Sequence, residues 1–74
     1  MKRSTEAVAT YECVYGDELK EAITVGYVTN KTSPKTEEEW TKYLSKEAIS
    51  LFISKHRFET KNVSASLIHI DLEN

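Results

Sequence analysis

A single cysteine, Cys13, in a chain of 74 residues decides how this protein can be held together. Chains this short bury only about 60% of the surface that their unfolded form exposes. Below roughly 80 residues they commonly lean on a disulfide, a metal or a partner chain. One cysteine makes no internal disulfide. Cys13, His56 and His69 are the only Cys and His residues, and they lie far apart in sequence. Structural zinc sites need four closely spaced ligands of those types. What remains is an efficient α/β core or association with another chain.

Several classes fall away. No apolar run approaches the roughly 20 residues needed to span a bilayer, so no membrane role is expected. Met1-Lys2-Arg3 is basic, but no apolar stretch follows it as in a signal peptide. A lone cysteine without such a signal points to a reducing, cytoplasmic setting. Hydrophobic residues make up 39% of the chain, with two glycines and one proline, which argues against disorder. The whole chain, 1–74, reads as one domain, with residues 1–5 as a flexible start.

Ala7 to Tyr15 is rich in β-branched and aromatic residues and free of proline, the pattern of a strand. Gly16-Asp17-Glu18 is a turn signal, and Leu19 to Thr29 is a second strand. A two-residue loop would set Glu12 opposite Glu21, and directly opposed like charges are unfavourable. A three-residue loop pairs Tyr15 with Leu19, Tyr11 with Ile23, Ala9 with Val25 and Ala7 with Tyr27. That register gathers the apolar residues on one face. The other face carries Thr10, Glu12, Thr24 and Gly26, with Val8, Val14 and Val28 less protected. Gly26 inside a strand marks a bulge or a close approach by another backbone.

Thr36-Glu37-Glu38-Glu39-Trp40 is the strongest local signal. Thr36 and Glu39 make a capping box, and acidic residues suit the positive end of the helix dipole. Ser33 with Pro34 at the first helical position is a competing start. The helix runs to about Lys55 or His56, with Lys55, His56 and Arg57 closing the last turn. Trp40, Tyr43, Leu44, Ala48, Leu51 and Phe52 form an apolar stripe. Ile49 and Ile53 flank the stripe and widen it, as if for burial against a partner.

Val63 to Leu72 is a third strand. Simple alternation sets Ser64, Ser66, Ile68, Ile70 and Leu72 on one face, and Val63, Ala65, Leu67, His69 and Asp71 on the other. The expected fold is α+β: a ββαβ order, a mainly antiparallel three-stranded sheet and one amphipathic helix packed on one face. Beside the first strand, the third can run parallel to it through the crossover. Beside the second, it would run antiparallel to it. Either way one sheet face stays uncovered, and an open, partly apolar face invites a partner.

Few groups suggest chemistry. His69 and Asp71 share a strand face, as a His–carboxylate pair does. If the first and third strands pair, Cys13 approaches His69 as a Cys–His nucleophile. A working site also needs a pocket and an oxyanion stabiliser, and no small-molecule pocket is expected in so thin a core. Tyr11, Tyr15, Tyr27 and Trp40 would serve as a stacking platform for single-stranded nucleic acid, but Tyr11, Tyr27 and Trp40 are expected in the core instead. Lys55, Arg57 and Lys61 form the locally basic cluster such a partner needs; the other basic residues alternate with glutamates. Glu37, Glu38, Glu39 and Glu47, with Asp17, Glu18 and Glu21, would offer an acidic surface to a basic partner. The capping box accounts for the helix part of that cluster. No Gly-rich phosphate loop, metal string or other cofactor motif is present, so no cofactor is expected.

Eight of the ten basic residues are lysine. With the small size and the ββαβ pattern, this general character resembles many small phage-encoded or mobile-element proteins. Such proteins commonly bind and inhibit a host protein. The expectation is a non-enzymatic interaction module that self-associates as a homodimer or acts as inhibitor or adaptor of a larger protein. Its partner surface would use Val8, Val14, Val28, Ile49 and Ile53. A nucleic-acid module using Lys55, Arg57 and Lys61 is the alternative.

Overall fold

The computed structural model describes residues 3–30, 32–57 and 62–73. The long elements are β2 (Glu6–Tyr15), β3 (Leu19–Val28), α1 (Glu37–His56) and β5 (Val63–Glu73). Two short strands, β1 (Arg3–Ser4) and β4 (Lys35–Thr36), pair antiparallel beside them. The first, second and third strands expected from the sequence are thus β2, β3 and β5. The main sheet is antiparallel in the order β3-β2-β5, with α1 packed on one face. The chain is an α+β fold with a β-hairpin.

The hairpin takes the register that keeps glutamates apart: Tyr15 pairs with Leu19, Tyr11 with Ile23, Ala9 with Val25 and Ala7 with Tyr27. Its loop is Gly16-Asp17-Glu18, closed by the Glu18 amide donating to the Tyr15 carbonyl at 3.0 Å. Gly16 has φ 53°, a left-handed conformation that glycine adopts without a Cβ penalty. The ladder runs unbroken past Gly26, which pairs with Val8. A Cβ at Gly26 would sit 3.3 Å from Val8 Cγ2 and 3.6 Å from the Ala7 carbonyl oxygen. The glycine therefore marks no bulge; it accommodates the neighbouring valine.

The third strand takes one of the two places the sequence leaves open, beside the first, and the sheet is antiparallel throughout. β5 lies beside β2 and runs antiparallel to it. The reason is geometric. The helix carries the chain back along the sheet after β3, so the next strand runs in the direction of β3 and against β2. The face assignment changes. Thr10 pairs with His69 and Tyr11 with Leu67, so Ile68 is an extra residue in a β-bulge. The bulge shifts the phase of alternation halfway along the strand. Val63 and Ala65 before it, and Ile70 and Leu72 after it, all pack towards the core. Ser64, Ser66, His69 and Asp71 share the other face. Strict alternation would have split these apolar residues between the two faces.

Thr36 wins over Ser33 and Pro34 as the helix start. The Glu39 amide donates to Thr36 Oγ1 at 3.2 Å, and the Thr36 amide donates to Glu39 Oε1 at 2.9 Å. At the other end Arg57 adopts φ 59°, ψ 40°, and its amide donates to the Ile53 carbonyl at 2.6 Å. The buried helix residues are Trp40, Leu44, Ala48 and Phe52. Each step of four residues overshoots a full turn by about 40°. The buried line therefore rotates around the helix as it crosses the sheet. Leu51, expected in the stripe, has rotated out and is 52% exposed. Ile49 and Ile53 are half-buried.

Trp40 and Tyr11 anchor the core. Both are almost fully buried, with Ala7, Ala9, Cys13, Leu44, Ala48 and Phe52. The Trp40 indole Nε1 donates to the Ser4 carbonyl at 3.0 Å, and the Tyr11 hydroxyl donates to the Thr41 carbonyl at 2.6 Å. The first bond ties the start of the chain to the helix. Arg3 and Ser4, expected to belong to a flexible start, form β1, and Ser4 is buried.

Candidate interaction surface

The face of the sheet turned away from the helix can be written as five rows, each crossing β5, β2 and β3 in that order. The first is Glu73–Glu6–Val28. Then come Asp71–Val8–Gly26 and His69–Thr10–Thr24. Beyond the bulge lie Ser66–Glu12–Ala22 and Ser64–Val14–Lys20. The face is therefore mostly polar. Thr10 and Thr24 hydroxyls are hydrogen-bonded across the hairpin at 3.0 Å. Lys20 Nζ lies 3.9 Å from Glu12, with both side chains largely exposed. His69 Nε2 lies 3.1 Å from Asp71. Glu6 and Glu73 are direct cross-strand partners, an arrangement that is unfavourable for like charges. With Asp71 they make one corner of the face acidic.

The residues expected to bind a partner fall into two groups. Val8 and Val28 are exposed and adjacent at the acidic corner, while Val14 is half-buried at the opposite end. Ile49 and Ile53 lie on the helix. The structure does not bring all five together. Sequence reasoning missed the half-exposed Tyr27 and Leu51. Tyr27 packs edge-on against Tyr43 with ring centroids 5.1 Å apart. A hydrogen bond with Tyr27, and burial second, push the Tyr43 phenol above its ordinary value. Lys35 Nζ sits 5.5 Å from the Tyr43 ring centroid. Tyr43, Glu47, Leu51 and Lys55 recur every four residues and so form one row along the helix. The row flanks β3, because Tyr43 touches Tyr27 and Lys55 binds Glu21.

The basic cluster is partly consumed inside the fold. Lys55 Nζ donates to Glu21 Oε2 at 2.8 Å, and His56 Nε2 lies 3.1 Å from Glu21 Oε1. Hydrogen bonds from Lys55 first, then His56, hold the Glu21 carboxyl below its ordinary range. Arg57 is exposed at the helix end, and Lys61 lies outside the described residues. Of the aromatic residues that would make a stacking platform, Tyr11 and Trp40 are buried, while Tyr27, expected in the core, is 48% exposed.

Cys13 and His69 lie on opposite sides of the sheet. Cys13 pairs with Ala65 beneath the helix, and His69 pairs with Thr10 on the open face. The Cys–His nucleophile is not formed. Burial, and then the charge of Glu21, push the Cys13 thiol up, which keeps it protonated. A depression of about 480 Å³ surrounds the hairpin turn and opens to solvent. It is lined by Glu12, Val14, Gly16, Asp17, Glu18, Leu19 and Lys20, and contains no Cys or His. Among the described residues no helix is long and apolar enough to cross a membrane.

These features define a small α+β domain with a half-covered antiparallel sheet. Comparison with known proteins gives no match: no family model, curated protein or solved structure resembles the chain at a significant level.

Proposed function

We propose that the chain is a non-enzymatic protein–protein interaction module, acting by contact as a self-associating unit or as inhibitor or adaptor of a larger protein, in the manner of small phage-encoded proteins. The observation that carries this reading is the coverage of the sheet. One helix covers one face, and among the described residues nothing pairs with the outer sides of β3 and β5 or packs as a layer on the other face. Exposed Val8, Tyr27, Val28, Leu51, Leu67 and Ile68 supply the apolar contact such surfaces use. The separation of Cys13 from His69 and the engagement of Lys55 and His56 by Glu21 also favour contact with protein. The buried, protonated Cys13 fits a reducing cytoplasm.

The test separates the occupants. The purified chain is sedimented alone, passed over filters with DNA or RNA at about 50 mM salt, where electrostatic binding is strong, and used as immobilised bait. Self-association, or capture of a protein that weakens on charging Val28 or Leu51 to lysine, supports the module. Retention of nucleic acid that disappears with Arg57→Ala would instead establish the basic-cluster reading.

A further inference from the structure

Resting on the interaction-module reading, we infer that the partner of the β3 edge is a second copy of this chain, joined by antiparallel β3–β3 pairing about Thr24. The two outer strands differ in how they are guarded. Natural sheets blunt their edges with bulges and charges. β5 has both: the Ile68 bulge, then His69, Asp71 and Glu73. β3 has no bulge, and Ala22 to Val28 (Ala-Ile-Thr-Val-Gly-Tyr-Val) has neither charge nor proline. Such a strand is a template for another. The apolar side chains along it are also left open: Tyr27 and Val28 on the strand, and Leu51 on the helix row beside it.

The segment complements itself. Pairing about Thr24 places Ile23 opposite Val25 of the second copy, Ala22 opposite Gly26, and Thr24 opposite itself. Directly opposed residues share a face, so both helices lie on the same side of a continuous six-stranded sheet. Tyr27, Tyr43 and Leu51 then line the groove between them. Charge supports the same register. Lys20 falls opposite Val28 of the second copy, in the row that contains Glu6 and Glu73. A lysine and a glutamate side chain together span the roughly 10 Å across one intervening strand. The acidic corner, where Glu6 and Glu73 are set against each other, thereby gains a cation from the partner. Among the described residues the rival for Lys20 is the exposed 3.9 Å contact with Glu12, and exposed pairs of that kind hold weakly. Face-to-face packing of the open faces would instead bring two acidic surfaces together.

The experiment is sedimentation equilibrium of the full chain from micromolar to about 100 µM, with three variants. Wild type is expected to be dimeric. Thr24→Lys sets two lysines against each other at the two-fold axis and should raise the dimer dissociation constant about tenfold or more. Lys20→Glu should weaken the dimer, and Lys20→Glu with Glu6→Lys should restore it. The pair of charge variants stands if Thr24→Lys fails to fold. Two results overturn the inference: a monomeric wild type, or a dimer unmoved by Thr24→Lys and Lys20→Glu. A monomer that still captures a protein through Val28 or Leu51 leaves the module reading standing and removes only the β3 pairing. A monomer that captures nothing removes both.

Discussion

Arg57 carries backbone strain at the end of the helix. It ends the helix at φ 59°, where a non-glycine residue meets its own following carbonyl. Glycine is the usual occupant of that position. Arg57→Gly should therefore raise stability by about 1 kcal/mol, read as a higher urea midpoint at unchanged slope. An unchanged or lower midpoint would mean that the guanidinium contributes more than the strain costs. Glu21 offers a second test. Its folded carboxyl is held below the usual value of 4.5 by Lys55 and His56. A lowered folded value means that the stabilisation is present above the unfolded value and fades as pH falls through the folded one. Wild type should lose stability below about pH 4.5, and Glu21→Gln should flatten that acid limb while lowering stability at neutral pH. Parallel acid limbs would show that the cluster does not hold the helix end. Both residues stand out in the sequence only as charges. Their roles come from contacts 34 and 35 residues apart for Glu21, and from a backbone angle for Arg57.

At the scale of elements, what was legible follows from local rules. Thr36 and Glu39 announce their helix because a capping box satisfies backbone groups within four residues. The hairpin register was legible because only one loop length keeps Glu12 from Glu21 and the apolar residues together. The third strand was not. Strict alternation has no signal for an inserted residue, and both faces of Val63–Leu72 looked mixed because the bulge divides two phases. Strand direction beside β2 was left open, although a helix that returns along the sheet leaves the next strand parallel to β3, whichever neighbour it takes. Leu51 was misplaced because the helix crosses the sheet at an angle. The bulge makes a prediction of its own. Deleting Ile68 leaves Val63, Ala65, Ile70 and Leu72 on the core face, so urea stability should fall by no more than about 1 kcal/mol. Deleting Ala65 throws Val63 to the open face and should largely unfold the chain. Equal losses from the two deletions would contradict the register assigned to β5.

The described residues form an elongated body of 40 × 19 × 16 Å with α1 on one side of the sheet. With a single cysteine no internal disulfide closes it, so its stability rests on a core that holds, among the described residues, nine buried apolar side chains centred on Trp40, Tyr11 and Phe52. Half-coverage of the sheet was foreseeable from the element count. Where the exposed apolar surface collects was not, since it depends on the helix row beside β3 and on the guarding of β5 by its bulge. The proposed function rests on features of this scale: a thin core, a mostly polar open face, and the β3 edge without bulge or charge from Ala22 to Val28. The most direct measurement is residue-resolved amide exchange at low and high protein concentration. Outward-facing amides between Ala22 and Val28 should become protected as concentration rises, while those on the outer edge of β5 stay fast. Fast exchange along β3 at every concentration, or concentration-dependent protection on β5 instead, would contradict the account.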